Sequence, residues 1–183
     1  MKDTDSDLVR RCRAGDRAAF ETLVDHYERT IFNAAYRMLD SRDDAKDVTQ
    51  TVFLKVFERL DSYDPKYRFY SWIYRIALNE SINLLNGRKR LKPVDEEQIS
   101  DWGTPEDNVR SSQLCDRVQE ALMLISDDYR SVIVLKHFMG CSYSDISRIL
   151  EIEEKTVKSR LFTARHRLRD ALLVNKVTGS RSI

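Results

Sequence analysis

The sequence predicts an all-α protein made of two small helical domains joined by a flexible acidic linker. Apolar residues recur every three or four positions in nearly every segment, as in amphipathic helices, and no run alternates cleanly enough to predict a strand. Half of the Gly and Pro residues lie between Gly87 and Pro105 among many acidic residues, a composition typical of a solvated linker. We therefore expect helical domains at residues 1–91 and 112–183, with the linker at residues 92–111.

Three long helices are predicted in the first domain. Asp16 is a suitable N-cap for a helix over residues 17–38. The next two helices carry apolar residues at helical spacing from Ala45 and from Phe69, and polar segments at 40–42 and 61–65 separate the three. We expect the apolar stripe of each helix, including Phe57, to pack into the domain core.

The second domain contains a predicted helix-turn-helix. A short helix over residues 144–150 and a turn at 151–154 precede a long basic helix from about Lys155 to Leu173. The segment from Lys155 to Arg169 holds six cations and no acid, which would repel one another without an anionic partner. We expect this helix to enter the major groove of DNA, the alternative being a solvated face of a helical bundle. The predicted duplex-DNA contacts are Lys155, Thr156, Lys158, Ser159, Arg160, Phe162, Thr163, Arg165 and His166.

The net charge of +1 conceals an uneven distribution along the chain. Residues 1–92 carry a net charge of +3, residues 93–128 a net charge of −8, and residues 129–183 a net charge of +6. Two basic ends flanking an acidic middle point to a polyanionic partner.

Aromatic and basic residues alternate where the third helix begins. Six aromatic residues lie between Tyr63 and Tyr74, and exposed aromatics can stack on unpaired or flipped bases while cations follow the backbone. We expect the loop residues to be functional and part of Phe69 and Trp72 to be buried. Asn79 and Asn83 either read a base edge or line a solvated face. The predicted single-strand contacts are Lys66, Tyr67, Arg68, Phe69, Trp72, Arg75, Asn79 and Asn83.

Other classes of protein find little support. The sequence has no phosphate-binding loop, no H-E-x-x-H motif, and three histidines in unrelated segments, so we expect no enzyme and no cofactor. The three cysteines are widely spaced and expected to be reduced thiols, and His137 with Cys141 is too small a set for a metal site. The longest apolar run is 121–125 and the N-terminus is polar, so we expect no membrane span, no secretory signal and a cytoplasmic location. A dimeric helix-turn-helix regulator that binds duplex DNA remains an alternative.

Three segments together resemble one family. The run from Asp44 to Phe53 (DAKDVTQTVF) resembles the acidic helix opening of bacterial sigma factors. The run from Phe69 to Asn79 (FYSWIYRIALN) is similar to the promoter-melting helix of the extracytoplasmic-function group, and TVKSRL with AR and LR after it is similar to that group's recognition helix. The three motifs occur in the family's order and cover about residues 6–173.

The resemblance implies an RNA polymerase subunit that directs the core enzyme to promoters. The first domain, sigma region 2, would bind the polymerase clamp and melt the minus-ten element, with loop 65–70 holding a flipped base. The second domain, sigma region 4, would read the double-stranded minus-thirty-five element, and the linker would run toward the active-site channel. An anti-sigma factor is common in the family. The polymerase contacts implied are Asp43, Asp44, Asp47, Gln50 and Phe53.

The chain departs from the family pattern at two places. Lys46 and Thr51 stand where the family usually has acids, which weakens the acidic face. Phosphorylation of Thr51 by a Ser/Thr kinase would restore about −1.5 to −2 charges, whereas the alternative is ordinary drift with binding carried by the remaining acids. Glu151 and Lys155 stand where the family often has Gly, and a non-Gly residue with positive φ costs of order 1 kcal/mol.

Overall fold

The computed structural model describes residues 4–91 and 109–178, with side chains at 4–90 and 114–173. All regular structure within these ranges is helical, which confirms the predicted all-α class and its two helical domains. Most of the linker predicted at 92–111 lies outside the described residues. Among the described residues no helix is long and apolar enough to cross a bilayer.

The first domain packs four helices together. A short 3-10 turn, Leu60–Ser62, follows the third of them. The helices are α1 (Asp5–Arg13), α2 (Arg17–Leu39), α3 (Arg42–Arg59) and α4 (Phe69–Leu91).

Side-chain caps set where these helices begin. The Asp16 carboxylate accepts a hydrogen bond from the backbone N–H of Ala19, as the sequence predicts. Ser41 caps α3 in the same way, and Asp40 just before it adopts a left-handed conformation with φ of 55° that ends α2. A single left-handed residue thus joins two long helices and allows them to pack against each other.

The second domain also contains four helices. A π-helical turn, Val134–Phe138, continues the second of them, and a capping box between Ser142 and Asp145 starts the third. The helices are α5 (Val109–Met123), α6 (Asp127–Ile133), α7 (Tyr143–Leu150) and α8 (Glu154–Thr178).

The turn of the helix-turn-helix has one strained residue. Glu151 ends α7 in the left-handed region with φ of 54°, so this chain keeps at Glu151 the backbone conformation for which glycine is the usual residue. Lys155 lies in the first turn of α8 and has no positive φ. The turn therefore needs only one of the two conformations for which glycine is the usual residue.

The two domains pack directly against each other. Helix α4 contacts α7, and α2 contacts α5, α6 and the π-helical turn. Buried residues of both domains, such as Leu23 and Leu135, belong to one continuous hydrophobic cluster. This packing brings the start of α4 beside the helix-turn-helix.

Candidate nucleic-acid and polymerase interfaces

Helix α8 separates an apolar face from a cationic one. Val157, Leu161 and Ala164 are fully buried against the rest of the domain. The opposite face is exposed, and its aromatic residue Phe162 is 66% exposed with an edge-to-face contact to the ring of His166. Thr156, Arg160 and Thr163 are half-buried at the borders of that face, and the fully exposed predicted residues are Lys155, Lys158, Ser159, Phe162, Arg165 and His166.

Two arginines of this helix are held by neighbouring side chains. The Arg160 guanidinium lies 3.6 Å from the Asp128 carboxylate at the start of α6. Arg165 Nε donates to His137 Nε2 over 3.3 Å, and burial together with the charge of Arg165 lowers the pKa of His137 below its usual value. A neutral imidazole can accept that bond, so His137 orients Arg165 along the exposed face.

Hydrogen bonds to and from Tyr63 fix the loop before α4. The Arg13 guanidinium donates to the carbonyl oxygens of Leu60, Asp61 and Tyr63, and the buried Tyr63 hydroxyl donates to the carbonyl of Tyr67. These bonds hold residues 64–68 at the surface, where Tyr67 is 51% exposed. Lys66 and Arg68, the neighbours of Tyr67 in sequence, are exposed too, so this loop presents aromatic and basic groups to solvent.

Phe69 lies in the core rather than on this surface. Its side chain is 2% exposed and makes ring contacts with Tyr27, Tyr63 and Trp72 at centroid distances of 5.4, 5.4 and 5.8 Å. The prediction that Phe69 contacts a base directly is therefore wrong. Its ring instead supports the loop from the core of the domain. Trp72 is half-buried and keeps part of its ring near the surface.

The α4 surface beyond the loop contains three predicted polar contacts. Asn79 and Asn83 are exposed and lie one turn apart. Arg75 is half-buried and forms an ion pair with Glu151 of the second domain. The sequence could not indicate that pair, because the two residues come together only through domain packing.

An apolar groove lies between α2 and α3. Its volume is about 450 Å³, and Phe20 from α2 forms one wall. Leu54 is 64% and Phe57 is 68% exposed, so the expectation that Phe57 packs in the core is wrong. Periodicity could have indicated this surface, since both residues continue the face of α3 that includes Gln50.

Of the predicted polymerase contacts, Gln50 and Phe53 line this groove, and the acids precede them in the first turns of α3. Asp43, Asp47 and Gln50 are exposed, while Phe53 is largely buried in the groove wall. Asp44 forms an ion pair with Arg88 of α4, so part of its charge is used within the domain. Thr51 is half-buried one turn after Asp47, and its side chain makes no hydrogen bond within the described part of the chain.

Comparison with known proteins assigns both domains. Residues 23–91 match the family described as Sigma-70 region 2, and residues 115–168 match Sigma-70, region 4. The ECF RNA polymerase sigma factor SigW of Bacillus subtilis is 34% identical over 176 residues, which is 90% of this chain and 94% of the relative. This chain belongs to the extracytoplasmic-function sigma factor family. Sigma factors are transcription initiation factors, and the protein is accordingly not an enzyme.

Solved structures agree with this assignment. CnrH in complex with the cytosolic domain of CnrY is 27% identical, with a TM-score of 0.74 over 94% of this sigma factor and 99% of that chain. The sigma factor RpoE in complex with the anti-sigma factor NepR from Bartonella quintana is 24% identical, with a TM-score of 0.71 over 85% and 97%. The likeness to RpoE supports the fold alone.

Proposed function

We propose that this sigma factor binds core RNA polymerase, recognises the minus-thirty-five and minus-ten promoter elements, and initiates transcription. The observation that carries the proposal is that one chain presents a cationic recognition helix and an aromatic, basic loop on two different domains. We propose a first domain at residues 1–91 and a linker from residue 92, with the second domain of the predicted 112–183 extended to the start of α5 at Val109. We also propose a cytoplasmic location beside the polymerase.

Helix α8 is suited to duplex DNA. Its exposed face combines Lys155 and Lys158 near the helix start with Ser159, and N-terminal residues of a recognition helix are the ones that reach base edges. Lysine and arginine bind guanine edges and phosphates, whereas serine and threonine bind either kind of group. The Arg160–Asp128 pair suggests that Arg160 positions the helix more than it contacts DNA.

The loop before α4 is suited to unpaired DNA. Tyr67 offers an exposed ring for base stacking, and Lys66 and Arg68 lie beside it to follow the phosphates. Asn79 and Asn83 extend this surface along α4 with groups able to hydrogen-bond base edges.

The groove between α2 and α3 is suited to the polymerase. Leu54 and Phe57 provide an exposed apolar centre, and Asp43, Asp47 and Gln50 border it with polar and acidic groups. An apolar centre with a polar rim is the usual anatomy of a protein interface.

Replacement of Tyr67 by Ala tests the melting role. We expect about a tenfold loss of open complexes, because stacking of one base on an aromatic ring contributes about 1–3 kcal/mol. Open complexes are measured by permanganate reactivity of unpaired thymines, with core polymerase and a promoter selected from random DNA. Ser62→Ala is the control. Duplex binding without polymerase and no melting by the wild type would instead favour the dimeric regulator.

We further propose that this sigma factor is controlled by an anti-sigma factor or by a Ser/Thr kinase acting on Thr51. The support for the kinase is the position of Thr51 beside the acidic face and its hydroxyl, which makes no hydrogen bond within the described chain. A phosphate there would add negative charge next to Asp47.

The Thr51 hypothesis is tested by binding to core polymerase. If phosphorylation is required, Thr51→Glu should bind at least several-fold more tightly than Thr51→Ala, as measured by co-elution and titration. Thr30→Glu, a similar change elsewhere on the first domain, controls for added charge. Equal binding by the two Thr51 variants would exclude the switch and favour control by sequestration.

A further inference from the structure

Helix α7 of the second domain contacts part of the proposed melting surface of the first, at Tyr67 and Arg75. Glu151 at its end pairs with Arg75, while burial and the nearby Asp145 carboxylate at its start raise the pKa of the Tyr70 hydroxyl. Arg148 lies between these two residues in sequence, and its guanidinium is 5.8 Å from the centroid of the Tyr67 ring. We call these three residues of the second domain, Asp145, Arg148 and Glu151, the α7 clamp.

The carboxylates of the α7 clamp occupy positions suited to phosphates. Arg75 is a proposed single-strand contact, and its guanidinium is paired with a carboxylate of the same chain. Burial raises the pKa of Asp145, but hydrogen bonds from Ser142, the nearby Tyr70 hydroxyl and the charge of Arg68 together outweigh burial and hold that pKa below its usual value. Glu151 pairs with Arg75 and Asp145 lies near Arg68, so these two acids compete with DNA for the same cations.

Glu151 is an unusual residue at its backbone position. It adopts a φ of 54°, which only glycine adopts without strain, and this costs of order 1 kcal/mol. Within its own domain the Glu151 side chain forms no ion pair in the described residues, whereas its carboxylate pairs with Arg75 of the other domain. A strained residue whose one ion pair crosses the domain boundary points to a role in domain contact.

A second set of contacts fixes the domains at the other end of the interface. Gln119 accepts a hydrogen bond from Arg37 over 2.9 Å and donates one to the carbonyl of Tyr36 over 3.2 Å. The Lys89 ammonium lies 2.6 Å from the Asp127 carboxylate. The clamp therefore acts on domains that are already held in register.

The packed arrangement does not suit simultaneous binding of both promoter elements. The two elements are named for positions 25 base pairs apart, which corresponds to roughly 85 Å of DNA at about 3.4 Å per base pair. Domains in direct contact cannot occupy both positions, so promoter binding requires that they separate.

We infer that the α7 clamp holds the free protein in a closed form, in which the second domain occupies the Tyr67 and Arg75 part of the surface that would bind the melted strand. The inference rests on the proposed function of the loop at residues 64–68 and of α4. Single-stranded DNA binds the open form and must displace the clamp, so its apparent affinity is reduced by the fraction of closed molecules.

Charge reversal at Glu151 tests the clamp in the full-length protein. Glu151→Arg places a cation beside Arg75 and should favour the open form, while Glu153→Arg adds the same charge two residues away, where the wild-type side chain has no ion pair in the described chain. Binding of a fluorescein-labelled pool of random 20-nucleotide single strands should be about fivefold tighter for Glu151→Arg than for Glu153→Arg.

Small-angle X-ray scattering gives a readout that does not depend on DNA. A compact chain of this length has a radius of gyration of about 16 Å, and we expect that of Glu151→Arg to exceed it by several ångströms, unlike the control. Equal radii of gyration and equal affinities for single-stranded DNA in the two variants would overturn the inference. Open-complex formation by the wild type with core polymerase is measured in parallel, so that failure of the proposed function is recognised separately.

Discussion

Replacement of Leu54 by Glu should lower the affinity for core RNA polymerase at least a hundredfold. Leu54 is 64% exposed at the centre of the groove between α2 and α3, next to the similarly exposed Phe57. A carboxylate placed in an apolar contact must be desolvated without a partner, and losses at such central positions commonly reach 2–4 kcal/mol. The measurement is titration of fluorescently labelled sigma factor with core polymerase.

The fold should be unaffected by this change, because the Leu54 side chain contributes little to the core. Leu114→Glu is the matched control, since Leu114 is a similarly exposed leucine on the other domain. Wild-type affinity in Leu54→Glu would place the polymerase contact on the acidic residues Asp43 and Asp47 instead of the groove. The two possibilities are then separated by Asp47→Ala.

Helical periodicity predicted α2, α3 and α4 because each buries a long apolar stripe. Helix α1 was not predicted, since only Leu8 and Val9 are buried in a short segment dominated by charged residues. The π-helical turn after α6 was not predicted either, because its residues are as apolar as those of an ordinary buried helix. Short elements whose stability depends on packing leave a weak signal in sequence.

The candidate sites show which features helical spacing can predict and which it cannot. Spacing assigned Phe57 to the core, yet its ring contacts α2 at Phe20 on the wall of the groove and stays 68% exposed. The exposed face of α8 could be predicted, because its buried positions follow a regular helical period. The contacts of Arg75 and Tyr67 with α7 could not, since they depend on how two domains pack.

Replacement of Arg130 by Met should produce the largest loss of stability of any single change at the interface between the two domains. Arg130 is 5% exposed, and its guanidinium donates to the carbonyl oxygens of Leu122, Met123 and Ile125 over 2.9, 3.3 and 3.0 Å. It also donates to the carbonyl of Met38 in the first domain. Burial lowers the pKa of Arg130 below its usual value, but an arginine remains charged.

The expected loss is about 3 kcal/mol in the free energy of unfolding, because several buried carbonyl groups lose their donor at once. Urea unfolding followed by circular dichroism measures it, and Arg29→Met on the exposed side of α2 is the control. A loss no larger than that of the control would mean that water replaces the guanidinium at these carbonyls.

Arg130→Lys separates charge from geometry at the same position. Lysine keeps the positive charge, but its single ammonium cannot donate to four carbonyl oxygens in two domains as the planar guanidinium does. We therefore expect Lys to recover only part of the lost stability. Because the guanidinium joins the α5–α6 turn to the end of α2, its removal should also uncouple the domains. We expect two unfolding transitions for Arg130→Met and one for the wild type, and a single transition in the variant would indicate that the apolar cluster alone couples the domains.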